Sequence, residues 1–333
     1  MEQPILRLED LRAEFVTPDG VVKAVNGVSF SLHRGRTLAL MGESGAGKST
    51  VGLAILNLLP PPGRITGGRI YLHDADLLTL EPEEIRRIRG REVAMVFQDP
   101  ATSLNPVLSV GQQVEEIIRN HQDVSKGEAR RQSLEVLAQM GLPEPGQVSK
   151  RYPFQLSGGM AQRVMIAIAT ALIPDVLILD EPTSALDVTI QAAILDDLLR
   201  LQQRHGISIV LITHDLGVVA QMADEVAVMY AGYVAEYGDV HSLFAQPRHP
   251  YTWSLLASRP RWDREDRGRL TAIRGTPPSL LDLPDECPFI PRCPKATSVC
   301  RRERAPGLAA VGQNGHLTAC YNPIYYDESG DAA

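Results

Sequence analysis

An eight-residue segment of this chain has the residue types and spacing needed to bind phosphate. Residues 42–49 read Gly-Glu-Ser-Gly-Ala-Gly-Lys-Ser and fit the pattern G-x-x-x-x-G-K-[ST]. Glycines in such a loop let backbone N–H groups face phosphate oxygens, and the following helix adds its positive N-terminal end. The alternative is a chance glycine-rich loop. The candidate phosphate ligands are Gly42, Ser44, Gly45, Ala46, Gly47, Lys48, Ser49 and Thr50, with Lys48 on the β- and γ-phosphates and Ser49 on Mg²⁺.

Two acids, Asp180 and Glu181, follow the apolar run 176–179. A strand buried on both faces has no structural reason to end in two acids. We expect Asp180 to hold Mg²⁺, directly or through water, and Glu181 to act as general base or to orient water. The alternative for Glu181 is an acid that starts the next helix, where negative charge is favourable.

Gln98 and His214 each follow another apolar strand pattern. The Gln98 amide could reach Mg²⁺ or the attacking water, and His214 could contact the γ-phosphate. Ligands of open α/β sheets bind at the carboxyl ends of the strands, which favours function for His214, whereas Gln98 by itself does not decide between the two readings. The alternatives are an ordinary turn glutamine and a surface or core histidine.

A second glycine turn, residues 156–160, reads Leu-Ser-Gly-Gly-Met and precedes a predicted helix from Met160 to Leu172. Ser157, Gly158 and Gly159 would form another anion site at a helix N-terminus. One nucleotide does not need two such loops from one subunit. We therefore expect this loop to serve the ATP of a partner subunit.

The elements that must position these groups read as an α/β fold. Residues 5–40 alternate apolar and polar positions around turn signals, which predicts a small antiparallel sheet. Buried strands are expected at 37–41, 93–97, 176–179, 207–212 and 225–230, with a helix over 47–58, so the core is a parallel sheet covered on both faces. Residues from about 100 to 172 predict an inserted helical subdomain, and residues from 246 onward a loop-rich extension.

Composition narrows the class of protein. The 333 residues are 44% hydrophobic and carry a net charge of −7 without a long basic block, which argues against nucleic-acid binding. The N-terminus lacks the pattern of a signal peptide, and no apolar run approaches the roughly 20 residues of a membrane span. A cytosolic chain that needs a partner for any membrane role is expected.

All four cysteines lie near the C-terminal end, at Cys287, Cys293, Cys300 and Cys320. In a reducing compartment this clustering argues against disulfides and for a metal centre. Their gaps lack the C-x₂-C spacing typical of structural zinc.

Six motifs in order make the chain resemble the ATPase subunits of ABC transporters over about residues 5–245. They are the phosphate loop, Gln98, the signature 156–160, the strand ending at Glu181, the D-loop 184–187 and His214. The resemblance implies a P-loop NTPase core, ATP and Mg²⁺ as cofactors with Ser49, Gln98 and Asp180 near the metal, and head-to-tail pairing of two subunits. It implies that Asp187 belongs to the nucleotide interface and that Phe15 stacks on adenine, although Phe15 could be a core residue. Met160 departs from the glutamine usual at that position.

The tail resembles the extension of ATPases from oligopeptide and dipeptide importers, on residues 249–252, 275–278 and 287–294. In that branch four cysteines are associated with a [4Fe-4S] cluster, which implies this role for the four cysteines here. Zinc or free thiols are the alternatives. Nearby basic residues could offset the negative charge of such a cluster.

The resemblance implies an importer ATPase at the cytoplasmic face of the membrane. Its expected partners are a second ABC ATPase, usually a related but different chain, two integral membrane permeases and an extracellular solute-binding protein. Importers of nickel, glutathione or sugars remain alternatives for the solute. A soluble ABC protein would carry a coiled-coil insertion or tandem cores, and an exporter a fused membrane domain; neither pattern is present in the sequence.

Overall fold

The computed structural model describes residues 3–184, 186–258, 273–281, 283–311 and 315–326. These residues form both β-strands and α-helices. The strands are β1 (Leu6–Thr17), β2 (Gly20–Leu32), β3 (Thr37–Met41), β4 (Gly63–Leu72), β5 (Ala75–Asp76), β6 (Val93–Val96), β7 (Val176–Asp180), β8 (Ser208–Thr213), β9 (Glu225–Tyr230), β10 (Tyr233–Asp239), β11 (Ala309–Ala310) and β12 (Leu317–Thr318). The α-helices are α1 (Lys48–Ile55), α2 (Pro82–Ile88), α3 (Pro100–Ser103), α4 (Val110–His121), α5 (Lys126–Gln139), α6 (Pro145–Val148), α7 (Gly158–Thr170), α8 (Val188–His205), α9 (Leu216–Met222), α10 (Val240–Ala245) and α11 (Pro250–Ala257).

The chain forms two compact units. Residues 1–7, 31–37 and 71–212 contribute to the first unit, and residues 8–30, 38–70 and 213–333 contribute to the second. The two units therefore do not coincide with the predicted division at residue 245, and that domain boundary stays a prediction. The described part of the extension beyond residue 245 belongs to the same unit as the phosphate loop.

The first unit contains a parallel sheet in which β7 lies between β6 and β8. Val93 pairs with Val176, and Asp180 pairs with Ile212, so the strands run together toward one edge. Every residue of β7 and β8 is buried. Uninterrupted apolar runs of this kind suit strands that are covered on both faces, as the sequence predicts.

Helices α3 to α7 occupy the chain between β6 and β7, within the predicted helical region. Three of them, α4, α5 and α7, contact one another. Ser109 begins α4 with a capping box, in which its hydroxyl accepts from the Gln112 N–H and the Gln112 side chain accepts from the Ser109 N–H. Ser125 caps α5 through the Glu128 N–H.

The second unit contains a mixed sheet in the order β3, β9, β10, β12 and β11. β3 pairs with β9 in parallel, and the remaining pairs are antiparallel. Most of β1, β2 and β4 form another sheet in this unit, with β1 between the other two. The extension, expected to be loop-rich, also contributes α11 and the short strands β11 and β12. Two-residue strands carry no periodicity that a sequence pattern could reveal.

A buried carboxylate joins the extension to this sheet. Glu236 lies in β10 with 0% of its side chain exposed. Its oxygens accept from the backbone N–H groups of Arg248 at 2.6 Å and His249 at 2.9 Å, and His316 Nε2 lies 2.6 Å away. A buried charge is tolerated when it is paired and hydrogen-bonded in this way. The contacts hold the start of α11 and the segment before β12 against β10.

No helix of the described residues combines the length and apolar character needed to cross a membrane.

Candidate nucleotide site and cysteine centre

The phosphate loop connects the fully buried strand β3 to α1 in the second unit. Three of its glycines have positive φ angles: Gly42 at 156°, Gly45 at 80° and Gly47 at 96°. A Cβ atom at Gly42 would lie 2.2 Å from the Met229 carbonyl oxygen, and one at Gly47 would lie 2.1 Å from that of Ala24. Neighbouring backbone therefore leaves room only for glycine at these two positions.

Lys48, the first residue of α1, is 7% exposed. Its ammonium group donates to the carbonyl oxygens of Gly42 at 2.8 Å and Glu43 at 3.0 Å. The positive charge is thus held inside the loop, where it can neutralise phosphate oxygens. The predicted helix 47–58 is shorter in the structure, because Leu56 already leaves the helical conformation.

The first unit holds the acid pair at the carboxyl end of β7. Asp180 is the last residue of the strand and is 6% exposed. Glu181 follows with a φ of 50°, its N–H donates to the Ile212 carbonyl at 2.8 Å, and its carbonyl accepts from the Ser184 hydroxyl at 3.0 Å. A non-glycine residue in this conformation is strained, and such strain is concentrated at functional sites.

Gln98 follows β6 and His214 follows β8, and both side chains are exposed. Because β6 and β7 are parallel and paired, Gln98 lies at the same sheet edge as Asp180 and Glu181. The structure thus places these three predicted residues together in the first unit. His214 and the phosphate loop belong to the second unit.

The signature residues form the N-terminus of α7 in the first unit. Ser157 is the exposed N-cap and accepts from the Met160 N–H at 3.4 Å. The helix therefore begins at Gly158, two residues before its predicted start at Met160. A Cβ at Gly159 would lie 2.8 Å from Ile190 Cγ2, so the glycine lets α7 approach α8 closely.

The segment before α8 is the predicted D-loop. Asp187 is the N-cap of α8 and accepts from the Ile190 N–H at 3.0 Å. Leu186 Cδ2 would lie 3.8 Å from a Cβ at Gly158, which brings this segment next to the signature. Ala185 lies outside the described residues.

Phe15 lies in β1 and is partly exposed, so it is not a fully buried core residue. A Cβ at Gly63 would lie 2.6 Å from Phe15 Cε1, which shows how closely the ring approaches that backbone. Its predicted contact with adenine stays a prediction.

The four cysteines line one small cavity that is partly open to solvent. None of the four takes part in a disulfide, and Cys300 is buried. Burial raises the pKa of Cys287 to about 11 and that of Cys320 to about 12. The Asn322 N–H donates to Cys320 Sγ at 3.3 Å.

The cysteine sulfurs are spread around this cavity. Within the described residues, one group of three metal-capable donors lies within 4.8 Å of one another, and it contains His73, Glu92 and Asp175 rather than cysteines. Tetrahedral zinc with Zn–S bonds of about 2.3 Å brings its sulfurs to roughly 3.8 Å from one another. No three of the four cysteine sulfurs lie this close to one another. Arg34 lies 3.4 Å from Asp175, so a cation already faces the other group.

Comparison with known proteins identifies the family. A family model described as "ABC transporter" matches residues 25–184, and a model described as "Oligopeptide/dipeptide transporter, C-terminal region" matches residues 235–300. The dipeptide transport ATP-binding protein DppD of Bacillus subtilis is 49% identical over 96% of this chain and 95% of its own length. The oligopeptide transport ATP-binding protein OppD of Salmonella typhimurium is 47% identical over 96% of this chain and 94% of its own length. The chain belongs to this family of ABC transporter ATP-binding subunits.

Solved structures agree with this membership. A dimeric ATP-binding cassette in a post-hydrolysis state with ADP and Pi has a TM-score of 0.65, at 29% identity, over 71% of this chain and 98% of that chain. The cbiO1 subunit of an ABC transporter complex from Clostridium perfringens has a TM-score of 0.62, at 30% identity, over 73% and 92%. The predicted fold, the ATPase activity and the assignment to peptide importers are confirmed.

The structure adds residues of the extension that the sequence reading did not connect to the phosphate loop. Arg292 forms an ion pair with Glu43, and the Tyr251 hydroxyl accepts from the Glu43 N–H at 2.9 Å. The sequence predicts Arg292 only as one of the basic residues that could offset the negative charge of a cluster at the cysteines. No local pattern links residues this far apart in the chain.

Proposed function

We propose that this chain hydrolyses Mg-ATP to power the uptake of dipeptides or oligopeptides. The main support is the similarity to peptide-transport ATP-binding proteins over 96% of the chain, together with the match of residues 235–300 to the oligopeptide/dipeptide transporter C-terminal region. Its partners would be a second, related ATPase subunit, two membrane permeases and an extracellular peptide-binding protein. The chain would lie at the cytoplasmic face of the membrane through the permeases.

The nucleotide chemistry follows from the residue types. Backbone N–H groups of the phosphate loop and Lys48 would bind the β- and γ-phosphates, and Ser49, Gln98 and Asp180 would surround Mg²⁺. Glu181 would accept a proton from the attacking water or orient it. His214 would contact the γ-phosphate.

The remaining contacts would involve the adenine and the partner subunit. Phe15 would stack on adenine. Ser157, Gly158 and Gly159 would bind the γ-phosphate of the ATP held mainly by the partner, with Asp187 at the same interface. The exposure of Ser157 and its weak 3.4 Å bond leave its hydroxyl accessible for this role.

The experiment that tests this function is peptide-stimulated ATP turnover by the reconstituted transporter. Glu181→Gln should reduce turnover at least 100-fold, since general-base catalysis contributes about 10²–10⁴-fold. Glu92→Gln is the matched control, because Glu92 immediately precedes β6 and so lies at the opposite sheet edge. Unchanged turnover in Glu181→Gln would refute the general-base assignment.

For the cysteines we propose a [4Fe-4S] cluster held by Cys287, Cys293, Cys300 and Cys320. Four thiolates match the four irons of such a cluster. The shared cavity and the wide spacing of the sulfurs support a cluster over a single zinc ion. The raised thiol pKa values mean that a bound cationic centre must supply the energy that keeps the thiolates deprotonated. When bound, the cluster would tie together a segment with little hydrophobic core of its own.

The cluster is tested by metal analysis of the anaerobically purified chain. We expect about four irons per chain, and loss of iron in Cys320→Ser with nucleotide binding retained. Zinc without iron in a colourless protein would refute the cluster.

A further inference from the structure

We propose that Arg292 is a positioning residue for the nucleotide reaction, which holds the phosphate loop through Glu43 in the conformation that binds ATP. The proposal rests on the proposed function and adds to it a contribution from the cysteine-bearing extension. It concerns a residue that does not itself belong to the phosphate loop.

The contact between the two side chains is bidentate. Arg292 Nη1 donates to Glu43 Oε2 at 2.6 Å, and Nη2 donates to Glu43 Oε1 at 3.0 Å. The Arg292 side chain is 4% exposed, so solvent screens the pair weakly. Paired, charge-assisted bonds of this geometry are among the strongest in proteins.

Further contacts fix both partners. The Glu43 N–H donates to the Tyr251 hydroxyl at 2.9 Å, and Tyr251 is fully buried. Arg292 also donates to the Tyr230 hydroxyl at 3.2 Å and to the Arg274 carbonyl at 3.0 Å. Glu43 is thus held at both its backbone and its carboxylate by residues outside the loop.

The segment that carries the cysteines packs against the same two tyrosines, Tyr230 and Tyr251. Phe289, which lies between Cys287 and Cys293, is 1% exposed. Its ring centroid lies 5.2 Å from that of Tyr230 and 5.4 Å from that of Tyr251, while the two tyrosine rings are 4.5 Å apart. Arg292 therefore contacts the phosphate loop from a segment that is anchored by this buried aromatic cluster.

The negative charge of Glu43 explains why its pairing with Arg292 matters for the binding of ATP. Glu43 places a carboxylate next to Gly42, in a loop proposed to bind a polyanionic triphosphate. Lys48 also contacts the Glu43 carbonyl at 3.0 Å, so a shift of Glu43 would move a contact of the phosphate-binding lysine. Arg292 neutralises the carboxylate. Without Arg292, the carboxylate would repel the nucleotide.

The test is the Kd of MgATP for the isolated full-length chain, measured by equilibrium titration. Arg292→Gln should raise this Kd about tenfold, since hydrogen bonds to charged groups correspond to roughly that factor. Glu43→Gln should also raise the Kd, because it breaks the same contact, and the double variant should raise it no further than Arg292→Gln alone, because both residues act through one contact. Arg301→Gln, a neighbouring exposed arginine, is the matched control and should behave as the unchanged chain.

A purely structural role for Arg292 predicts a different pattern. The extension would then loosen, thermal stability and iron content would fall, and Glu43→Gln would leave the Kd for MgATP unchanged. Either that pattern or an unchanged Kd in Arg292→Gln would overturn the proposal. In the complete transporter we expect the KM for ATP to rise with kcat nearly unchanged. If the unchanged chain binds MgATP but the transporter shows no peptide-stimulated turnover, the proposed function fails while the binding test of Arg292 still stands.

Discussion

A methyl group at Gly47 would have no room in the phosphate loop. In Gly47→Ala the new Cβ would lie 2.1 Å from the Ala24 carbonyl oxygen, well inside the 3.0 Å below which Cβ contacts essentially do not occur. The backbone on one side must therefore move by about 1 Å, and overpacking of this kind costs roughly 1–3 kcal/mol. The φ of 96° adds about 1–2 kcal/mol for any residue with a Cβ. We expect a total loss of about 2–5 kcal/mol in the free energy of unfolding.

Two measurements separate strain from displacement of the loop. Urea denaturation gives the loss of stability, and titration with MgATP gives the Kd, which should rise more than tenfold because Lys48 directly follows the displaced residue. Gly206→Ala is the control: Gly206 ends α8 with a φ of 68° and has nothing within 4 Å of the new Cβ. It should lose only about 1–2 kcal/mol and bind MgATP normally. Equal losses in the two variants with unchanged affinity would refute the steric reasoning.

Three further results are expected. Ser157→Ala should lower the free energy of unfolding by at most about 1 kcal/mol, like the matched N-cap change Ser109→Ala. Of the two variants, only Ser157→Ala should abolish the ATP-dependent pairing of ATPase subunits, measured by light scattering. Pairing that survives in Ser157→Ala would contradict the role of the signature. Burial lowers the pKa of His249 to about 4, so the contribution of the neutral imidazole to stability is complete above pH 6.5. This contribution is lost as the pH falls toward 4, by about 3 kcal/mol in total. Urea denaturation should show a smaller loss in His249→Asn, and equal pH profiles of the two proteins would exclude this role of His249. Glu236→Leu leaves buried donors unpaired and should cost about 3–5 kcal/mol in the same assay, whereas a loss below 1 kcal/mol would show that the contact with His316 is not stabilising.

The chemistry-bearing segments were predictable because each is contiguous in the chain. The phosphate loop, the acid pair after β7 and the signature each combine their residue types within a few positions, and each lies where an apolar strand or helix pattern begins or ends. The structure agrees with the predicted strands to within one or two residues. The prediction of Glu225–Tyr230 has both ends correct, since strand-favouring Val226, Val228 and Tyr230 alternate in a run that follows Asp224 and precedes Gly232.

The misplaced helix boundaries have local causes. Helix α7 begins at Gly158 because the Ser157 hydroxyl accepts from the Met160 N–H and so caps the helix. Gly158 and Gly159 then belong to the first turn of the helix instead of preceding it. Helix α1 ends at Ile55, before the apolar pattern ends. Hydrophobic periodicity extends past a helix end when the next residues are also buried, so it does not locate the boundary.

The sequence by itself determined the family, the phosphate-binding loop, the acid pair and the identity of the four cysteines, because each depends on neighbouring residues or on an ordered set of motifs. Only the tertiary structure decided that the extension contacts the phosphate loop. Arg292 and Glu43 are 249 positions apart, and Glu236 and His316 are 80 apart. Such pairs form because strands and loops from distant segments pack together, and their stability comes from burial and geometry that arise only in the folded chain.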